Sequence, residues 1–468
     1  GFVDLFVSNS GGDSWKKRLM INQGDGTFVL DEDGSLECSW REGRGVAWSD
    51  YNNDGLPDVY IVAGAEDHSA PYNRTNVLYI NNGDCTWSDV AVPAGVADEG
   101  HGRGVAWGDI NNDGFMDLLV GNQVGSDHTG NNKLYLNNGD GTFTDVTKKW
   151  GFNTSPAFSL NVAILDFTGD GRQDIFVGND SMSNHLFVNT GETPTRFENI
   201  GMQSGVAMNG DGGMQATMGI GIADVSGNGR PDIFTTNFSS DTNTLHVNDA
   251  SGFFDDRTRR YRLGLMSRSL LGWTCGFHDF DLDGDEDLFI VNGHVYPEAT
   301  VETIDSSRSQ PVVLLERQGA VFNEHSQHPL CVLQVSMRAR TAVFGDLDRD
   351  GDTDVIVAQR SGTVRVLENK TCDQQALKPL VIILEGTDQN PRGLGAAIHL
   401  TLDDDMVLSR WNHDGSGFQS SMSVPVLIAF PKGRTPKKLE VIWADGSRQL
   451  IDQVPLTGEF IVRQSAPQ

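Results

Sequence analysis

Long apolar runs, a basic surplus and helical periodicity are all missing from this sequence. No apolar stretch reaches the roughly 18 residues that a transmembrane helix needs, so no membrane span is predicted. The 35 lysines and arginines are outnumbered by 64 aspartates and glutamates, and the formal net charge is −29. Because nucleic acids and anionic membrane surfaces both bind basic patches, neither is an expected partner.

Catalytic sequence motifs are missing as well. The sequence contains no G-x-S-x-G, no H-E-x-x-H, no P-loop and no dinucleotide-binding fingerprint. We therefore predict a non-enzymatic protein and assign no catalytic residue and no organic cofactor.

Cysteine is scarce, and sequence alone leaves the pairing open for its five positions, which are Cys38, Cys85, Cys275, Cys331 and Cys372. Cys38–Cys85 and Cys331–Cys372 would each link neighbouring repeats, whereas Cys275 is predicted as a buried free thiol. Sequons predict N-glycosylation at Asn73, Asn153, Asn179, Asn237 and Asn369. Together these features favour a secreted, extracellular protein. The sequence opens on Gly1 without a visible signal peptide, which leaves room for a leader or a longer precursor.

An internal repeat organises most of the chain. An apolar strand, the loop D-x-[DNST]-x-[DN]-G-x-x-D and a second apolar strand recur at intervals of 55 to 67 residues. The copies begin at Asp50, Asp109, Asp166, Asp224, Asp279 and Asp346. Residues 1–7 match the tail of a further copy, in which Asp4 takes the place of Asp58. The sequence therefore predicts seven copies, with the first incomplete at the N-terminus.

Each copy is predicted to form four short strands. In the second copy these strands lie at residues 45–49, 59–62, 76–80 and 86–92, with a tight Asn-Asn-Gly-Asp turn at residues 81–84. Seven such units predict an all-β, seven-bladed β-propeller over residues 1–372. A linear β-solenoid is the competing architecture.

The acidic loops have the ligand pattern of a calcium site. Residues 50–58, DYNNDGLPD, are an example, in which the side-chain oxygens at positions 1, 3 and 5 are expected to face one side of the loop. Glycine at position 6 permits the bend. Position 7 offers its backbone carbonyl, and the aspartate at position 9 completes the ligand set. Six to eight oxygen ligands suit Ca²⁺, while softer metals would need His or Cys. We predict about six structural Ca²⁺ sites, formed by Asp50, Asn52, Asp54, Leu56 and Asp58; Asp109, Asn111, Asp113, Phe115 and Asp117; Asp166, Thr168, Asp170, Arg172 and Asp174; Asp224, Ser226, Asn228, Arg230 and Asp232; Asp279, Asp281, Asp283, Asp285 and Asp287; and Asp346, Asp348, Asp350, Asp352 and Asp354.

The six loops differ in charge. Those that begin at Asp279 and Asp346 carry four carboxylates at ligand positions, and the one that begins at Asp224 carries two, so it should bind most weakly. The alternative is a set of Asx-turn hairpins without metal. Repeated, uncompensated carboxylates would repel one another, which favours the metal.

These segments resemble known families. Residues 107–120, WGDINNDGFMDLLV, are similar to the FG-GAP/VCBS repeat of integrin α-subunit propellers, and residues 179–189, NDSMSNHLFVN, and 291–297, VNGHVYP, resemble the cartilage acidic protein family. Residues 390–396, 415–420 and 439–446 are similar to landmarks of its ASPIC/UnbV domain. The resemblance implies a calcium-binding propeller followed by a small β domain at residues 380–468, after a linker at 373–379. The family's animal members are secreted matrix glycoproteins, and its bacterial relatives have no settled activity.

Several arginine and histidine residues each allow two functional interpretations. Arg44, Arg103 and Arg340 share one repeat position on predicted inner strands, which suggests either an anion site in the central channel or ion pairs between blades. His68 and His128 suggest a metal or catalytic role, or a repeated polar loop. His278 and His294 would need a carboxylate partner to transfer protons.

The leading functional expectation is a secreted calcium-binding module for adhesion, matrix or interaction, with an extracellular protein or glycan as its partner. The first alternative is a homopolymer, a filament in which a neighbouring molecule donates a strand to the incomplete first blade. The second is a natural-product biosynthetic enzyme with its site in the channel.

Overall fold

The structure, a computed structural model, describes residues 3–8, 18–31, 43–64, 75–125, 130–152, 155–295, 307–325, 328, 330, 336–360, 362–372, 378–387, 389–415, 417–422 and 425–465. Several predicted features lie outside these residues, namely Cys38, His68, Asn73, His128, Asn153, Cys331 and residues 373–377 of the linker.

Seven antiparallel sheets, here called sheets 1 to 7, follow one another along the described part of residues 3–372. Sheets 2 to 6 have four strands, and sheets 1 and 7 have three. Sheet 1 contains β1 (Leu5–Val7), β2 (Arg18–Asn22) and β3 (Phe28–Leu30); sheet 2 contains β4 (Gly43–Ser49), β5 (Asp58–Ala63), β6 (Val77–Asn81) and β7 (Trp87–Asp89); sheet 3 contains β8 (Gly102–Gly108), β9 (Asp117–Asn122), β10 (Lys133–Asn137) and β11 (Phe143–Asp145).

The later sheets repeat this order. Sheet 4 contains β12 (Ser159–Leu165), β13 (Asp174–Asn179), β14 (His185–Asn189) and β15 (Phe197–Asn199); sheet 5 contains β16 (Ile220–Ala223), β17 (Asp232–Thr235), β18 (Thr244–Asn248) and β19 (Phe254–Asp256); sheet 6 contains β20 (Gly272–His278), β21 (Asp287–Asn292), β22 (Val313–Gln318) and β23 (Val321–Glu324); sheet 7 contains β24 (Ala339–Gly345), β25 (Asp354–Gln359) and β26 (Arg365–Leu367).

The predicted four-stranded unit is confirmed. In sheet 2 the first three strands agree with the prediction within two residues, while the fourth ends at Asp89 because helix α1 takes up Ala91–Ala94. The predicted turn is present, with Gly83 at φ 78°. Two more four-residue helices occur, α2 (Gly201–Ser204) and α3 (Gly264–Ser267).

No helix within the described residues has the length and apolar character required to cross a membrane.

The core lies between neighbouring sheets, because the first two strands of sheets 2 to 6 are buried on both faces over most of their length. All six residues of β5, β9, β13 and β21 are buried, which explains their near-continuous apolar sequences. Tyr60 and Trp107 join sheets 2 and 3 with their rings 6.3 Å apart, and Phe234 and Phe277 join sheets 5 and 6 at 6.0 Å.

Asparagine side chains tie sheets 1, 3, 4, 5 and 7 each to the preceding sheet. The Nδ2 of an asparagine at the end of a third strand donates to the carbonyl of the second loop residue in the preceding repeat. These bonds join Asn137 to Tyr51, Asn189 to Ile110 and Asn248 to Phe167, and Asn369, just after β26, to Phe280, at 2.9 to 3.0 Å. In sheet 6, Arg317 Nη2 does the same to Val225 at 2.9 Å. Asn22 of sheet 1 makes this bond to Leu347 of sheet 7, also at 2.9 Å.

Two further sheets, here called the C-terminal sheets, follow residue 378. One has the order β30-β27-β33 and the other β29-β28-β31-β32. Their strands are β27 (Leu380–Glu385), β28 (Ala397–Leu402), β29 (Val407–Trp411), β30 (Val426–Ile428), β31 (Pro436–Ile442), β32 (Arg448–Ile451) and β33 (Gly458–Arg463). Apolar runs at residues 380–384, 397–402, 424–430 and 439–443 predict four of these strands, which are found with some ends shifted, and β29, β32 and β33 are additional. The sheets enclose a shared core that includes Leu380, Leu400 and Val462.

Candidate metal loops and the inserted segment

All six complete acidic loops share one backbone arrangement. The carboxylate at position 1 accepts a hydrogen bond from the N–H of the glycine at position 6 at 2.7 to 3.1 Å, in every loop. Those glycines have φ between 79° and 105°, a region that residues with a side chain rarely occupy. The predicted role of glycine at position 6 is therefore confirmed. Position 4 also has positive φ, for example 59° at Leu282, which the sequence pattern did not indicate.

The aspartate at position 9 joins the loop to the third strand. Its Oδ1 accepts the backbone N–H of the strand-end residue, as in Asp58 to Asn81 and Asp117 to Asn137, at 2.8 to 2.9 Å. Asp4 makes the same bond to Asn22 at 2.9 Å, as expected from its predicted equivalence with Asp58. The position-9 aspartate therefore has a structural role, the hydrogen bond to the third strand, whether or not a metal is bound.

Two loops bring three carboxylates together. One oxygen each of Asp279, Asp281 and Asp287, and one each of Asp346, Asp348 and Asp354, lie within 4.8 Å of one another. Oxygens bound to one Ca²⁺ at 2.3 to 2.6 Å are at most about 5 Å apart, so both groups have the spacing of a calcium ligand set. These are the two loops that the sequence indicates as the strongest sites. In the other four loops, all of which are described, the acids do not gather this closely.

The electrostatics of these two groups also fit a divalent cation. Burial, together with repulsion from neighbouring carboxylates, raises the pKa of Asp287 to about 9 and that of Asp354 to about 8. Asp346 Oδ1 is buried and accepts no hydrogen bond from any residue that the structure describes. A bound Ca²⁺ would supply the missing partner and the missing positive charge.

The remaining loops carry fewer acids, and two of them carry a cation of their own. The predicted ligands Asn52 and Asn111 each donate Nδ2 to the position-5 aspartate, at 2.9 and 2.8 Å. At position 7 the sequence prediction used only the carbonyl oxygen, yet two of these residues are arginines. The Arg172 guanidinium forms an ion pair with Asp170 in the same loop.

A third acidic group was not predicted as a unit. Oxygens of Asp350 and Asp352 lie within 4.8 Å of each other and of the Cys372 sulfur, and the Cys372 N–H donates to Asp352 at 2.8 Å. The strand-end asparagines were also missed as structural residues. Their recurrence beside each turn was visible, but it was interpreted only as turn chemistry.

Burial argues against three of the predicted glycosylation sites. Asn179, Asn237 and Asn369 are at most 1% exposed. Their Nδ2 atoms donate to backbone carbonyls of Ser183, Thr242 and Phe280 at 2.7 to 3.0 Å. A glycan on these nitrogens would break those bonds and would have no space, so we retain none of the three as a glycosylation site.

One of the cysteine predictions can be compared with the structure. Cys275 is a buried free thiol, as predicted, and Cys85 is exposed. The proposed partner of Cys85 lies outside the described residues, so that pairing stays a prediction.

Residues 412–415 and 417–422, here called the inserted segment, leave the C-terminal sheets and contact the first strands of four repeats. Asp414 accepts the Trp107 N–H of sheet 3 at 3.4 Å, and Ser420 donates to Ala342 of sheet 7 at 3.0 Å. The ring of Phe418 lies 4.6 Å from that of Trp273 in sheet 6.

Close packing requires glycine within this segment. Gly415 has φ 90°, and a Cβ there would lie 2.6 Å from the Cβ of Ala106 and 2.8 Å from the carbonyl oxygen of Val162. The inserted segment therefore fills space between sheets 3 and 4 that a larger residue could not enter.

The C-terminal sheets also cover loop ends of the repeats. Arg410 of β29 forms a buried ion pair with Glu286, with 3.1 Å between Nε and Oε1. Arg392 Nη2 donates to the Trp48 carbonyl at 2.5 Å. Glu286 is position 8 of the loop that begins at Asp279, so this contact reaches a predicted calcium loop directly.

Two of the three channel candidates make contacts with neutral groups in the described part of the chain. Arg340 lies 4.3 Å over the Trp273 ring and donates to the carbonyls of Gly293 and His294 at 2.9 and 3.3 Å. Burial lowers its pKa to about 10. Arg103 Nε donates to Gln123 at 2.6 Å. Phe418 packs among Leu160, Met218 and Trp273, which occupy the same repeat position as the three arginines.

Both described histidine candidates make contacts with neutral groups. His278 packs against Phe344 with ring centroids 4.8 Å apart, and burial lowers its pKa to about 3. His294 Nε2 lies 3.1 Å from the Ser239 hydroxyl, a neutral partner.

Comparison with known families accounts for both parts of the chain. The FG-GAP-like repeat family matches residues 1–61, 50–120, 124–177 and 166–235, and the ASPIC and UnbV family matches residues 386–468. The chain thus consists of FG-GAP-like repeats followed by an ASPIC and UnbV domain, here called the C-terminal domain, as the sequence motifs indicated.

Curated relatives narrow the family further. Cartilage acidic protein 1 from Xenopus tropicalis is 31% identical over 166 residues, which cover 34% of this chain and 25% of that protein. The Homo sapiens protein is 31% identical over 150 residues, covering 31% and 22%. Integrin alpha-8 from Mus musculus is 31% identical over 174 residues, covering 34% and 16%. About a third of the chain is thus homologous to cartilage acidic protein 1, and the matches span about a quarter of the relatives' length or less.

Solved structures give weaker likenesses. A crystal structure of BBS1N in complex with ARL6DN has a TM-score of 0.40 at 12% identity and covers 79% of this chain and 93% of that chain. The exotype rhamnogalacturonan lyase YesX has a TM-score of 0.38 at 12% identity, covering 97% and 76%. Scores at this level carry no conclusion about function.

Proposed function

We propose that this chain is a secreted, seven-bladed β-propeller that acts as an extracellular adhesion, matrix or interaction module and uses calcium as a structural ion. The observation that carries the proposal is the repeated acidic loop, in which the closing aspartate joins the loop to the third strand of its sheet. Homology to cartilage acidic protein 1 and similarity to integrin alpha-8 support an extracellular setting.

Closure of the sheets into a ring is part of this proposal. The asparagine bond that ties sheets 3, 4, 5 and 7 to their predecessors also ties sheet 1 to sheet 7, across 325 residues of sequence. A linear solenoid would leave its first and last units far apart. Class averages from electron microscopy should therefore display a closed ring of seven units, and an extended rod would contradict this part of the proposal.

Calcium would act on the protein's shape. Ca²⁺ supplies positive charge to oxygens that the fold holds close together. The chain's own residues connect the loop to the rest of the fold. The position-9 aspartate is hydrogen-bonded to the third strand of its sheet, and the strand-end asparagine is hydrogen-bonded to the preceding sheet. Loss of the ion would loosen the contact between neighbouring sheets.

The experiment is direct measurement of bound metal and of its effect on stability. Elemental analysis of desalted protein should find calcium, and EGTA should lower Tm. A site kept at a hundredfold excess of ion over Kd contributes about 2.7 kcal/mol, so two such sites predict a decrease of roughly 5–10 °C. A metal-free protein with the same Tm in EGTA and in millimolar calcium would contradict the calcium role.

The partner surface is proposed to lie away from the acidic loops. The C-terminal domain already covers loop ends at Trp48 and Glu286. The described ends of the connections between second and third strands lie at the other end of the sheets, and we propose these connections as the free surface that an extracellular protein or glycan could reach. A glycan array and immobilised matrix proteins, probed with and without calcium, would test this assignment.

The two alternatives differ in their support. The described part of sheet 1 has three strands, so strand donation into a filament remains a possible use of the β1 edge. Electron microscopy at millimolar calcium would detect filaments, and isolated molecules under all conditions would remove this alternative. The packing of Phe418 against Trp273 speaks against a substrate site in the channel at that level.

A further inference from the structure

A cavity of about 530 Å³ lies between the repeats and the C-terminal domain, away from the free connections described above. Its walls come from β20 and β24, from β27 and β30, and from the inserted segment. Phe277, Phe344 and Met422 give it apolar surface. Small-molecule sites typically have volumes of about 300–1,000 Å³ and combine such apolar walls with a few polar groups.

Arg410 is one of several charged residues that line this cavity. It is 9% exposed, its Nε pairs with Glu286 at 3.1 Å, and its Nη1 donates to the Ser409 carbonyl at 2.9 Å. Its Nη2 is buried and has no hydrogen-bond partner among the residues that the structure describes. Because a guanidinium nitrogen can only donate, the group that completes it must be an acceptor.

His413 supplies a second polar atom to the same cavity. It lies three residues after Arg410, at the start of the inserted segment. Its Nδ1 is also buried without a hydrogen-bond partner within the described part of the chain. Two unsatisfied nitrogens on side chains that line one cavity are costly unless a hydrogen-bonding group reaches them.

We propose that this cavity binds a small molecule with a carboxylate at one end and an apolar body. The carboxylate accepts from Arg410 Nη2 and His413 Nδ1, and the body lies against Phe277, Phe344 and Met422. A carboxylate matches the planar fork of a guanidinium better than a neutral acceptor does. The site is made by both parts of the chain together, so neither the repeats nor the C-terminal domain would form it alone.

The negative groups around the cavity set the conditions of the test. Asp279 and Asp346 also line it, and both are predicted calcium ligands. A carboxylate probe would be repelled by them unless a cation compensates their charge. Binding is therefore measured on the full chain in millimolar calcium.

The probe is 4-phenylbutanoate, with 4-phenylbutanamide as its uncharged counterpart. Trp411 lines the cavity, so its fluorescence reports occupancy, and isothermal titration gives the affinity. We expect saturable binding of the carboxylate and at least tenfold weaker binding of the amide. Arg410→Lys, which keeps a positive charge beside Glu286 but removes the fork, should weaken carboxylate binding at least tenfold.

A second pair of variants tests the cavity without touching Arg410. Val426→Phe fills the wall formed by β30 and should abolish binding, whereas Val364→Phe, on the exposed surface of the repeats, should leave it unchanged. Thermal melts of each variant establish that it is folded. Absence of saturable binding, equal affinity for acid and amide, or unchanged affinity in Val426→Phe would overturn the proposal.

Discussion

The loops that begin at Asp279 and Asp346 differ from those that begin at Asp166 and Asp224 in the way they compensate their charge. The first pair places aspartate at position 7, and three of its carboxylates gather within 4.8 Å. The second pair places arginine at position 7, and Arg172 forms an ion pair with Asp170. Backbone geometry is the same in both, so the difference lies in the side chains alone.

This comparison separates fold from metal affinity within one molecule. The hydrogen bonds from glycine at position 6 to the acid at position 1, and from the third strand to the acid at position 9, are present in all six complete loops. The loop shape therefore does not require many acids. An arginine guanidinium within the loop can compensate part of the negative charge of the carboxylates. In a cluster of aspartates without such an arginine, a bound cation has to provide this compensation.

The largest effect is expected from removing one charge from an acid-rich loop. Asp281→Asn keeps the oxygen that accepts the Asp283 N–H at 3.3 Å but removes a carboxylate from the ligand group. The calcium affinity of that loop should decrease by about tenfold to a hundredfold, because a negatively charged ligand is lost. Each factor of ten corresponds to about 1.4 kcal/mol of binding free energy. Isothermal titration with calcium measures the change.

The matched control is Ser226→Ala at the same position of the loop that begins at Asp224. That loop has two carboxylates at ligand positions and is expected to bind calcium most weakly. We therefore expect the substitution to cause no measurable change in calcium binding by the protein. Equal losses in the two variants would show that the loops are equivalent and that the comparison is wrong.

An intermediate effect is expected from pH. In the metal-free protein the pKa of Asp287 is about 9 and that of Asp354 about 8, above the value of about 3.9 in an unfolded chain. The folded state therefore binds more protons than the unfolded state between about pH 4 and pH 9, and its stability should fall as pH rises through that window.

Calcium should reverse this dependence, because the ion binds the deprotonated carboxylates. Thermal melts from pH 5 to pH 9 in EGTA should show a falling Tm, and the gain from calcium should grow with pH. Parallel curves with and without calcium would mean that these acids do not bind the ion.

The smallest effect is expected from removing the resident cation of an arginine-bearing loop. Arg172→Leu introduces the residue that occupies the same position as Leu56, and it releases Asp170 from its ion pair. Calcium affinity of that loop should rise several-fold. In EGTA the variant should lose up to about 1 kcal/mol, because a half-exposed pair contributes little.

Arg259→Leu is the control for a general effect of lost charge. Arg259 pairs with Asp211 at 3.1 Å on the exposed surface, and neither residue belongs to an acidic loop. It should change neither calcium affinity nor stability. An increase in calcium affinity equal to that of Arg172→Leu would point to net charge rather than to the local pair.

Local patterns accounted for most of the fold and for the order of the candidate sites. The recurring loop motif predicted the repeated sheets, and the number of acids per loop predicted which two groups come together. Contacts between distant segments could not be predicted in this way. The bond from Asp414 to Trp107 spans 307 residues, and nothing at either end indicates the other.

Burial was the other feature that the sequence did not disclose. A sequon has the same letters whether its asparagine is exposed or, as for Asn369, holds two sheets together. In the C-terminal domain, β33 was missed because it pairs in parallel with the distant β27, and β32 is short and partly exposed.

The inserted segment also constrains the order in which the molecule can be assembled. Translation proceeds from the N-terminus, so Trp273 and its neighbours are made well before Phe418, which covers them. Until that late piece arrives, an apolar surface faces water in the nascent protein. A graft that replaces the C-terminal domain by a relative's would thus have to bring a suitable covering residue with it, or leave the repeats exposed to aggregation.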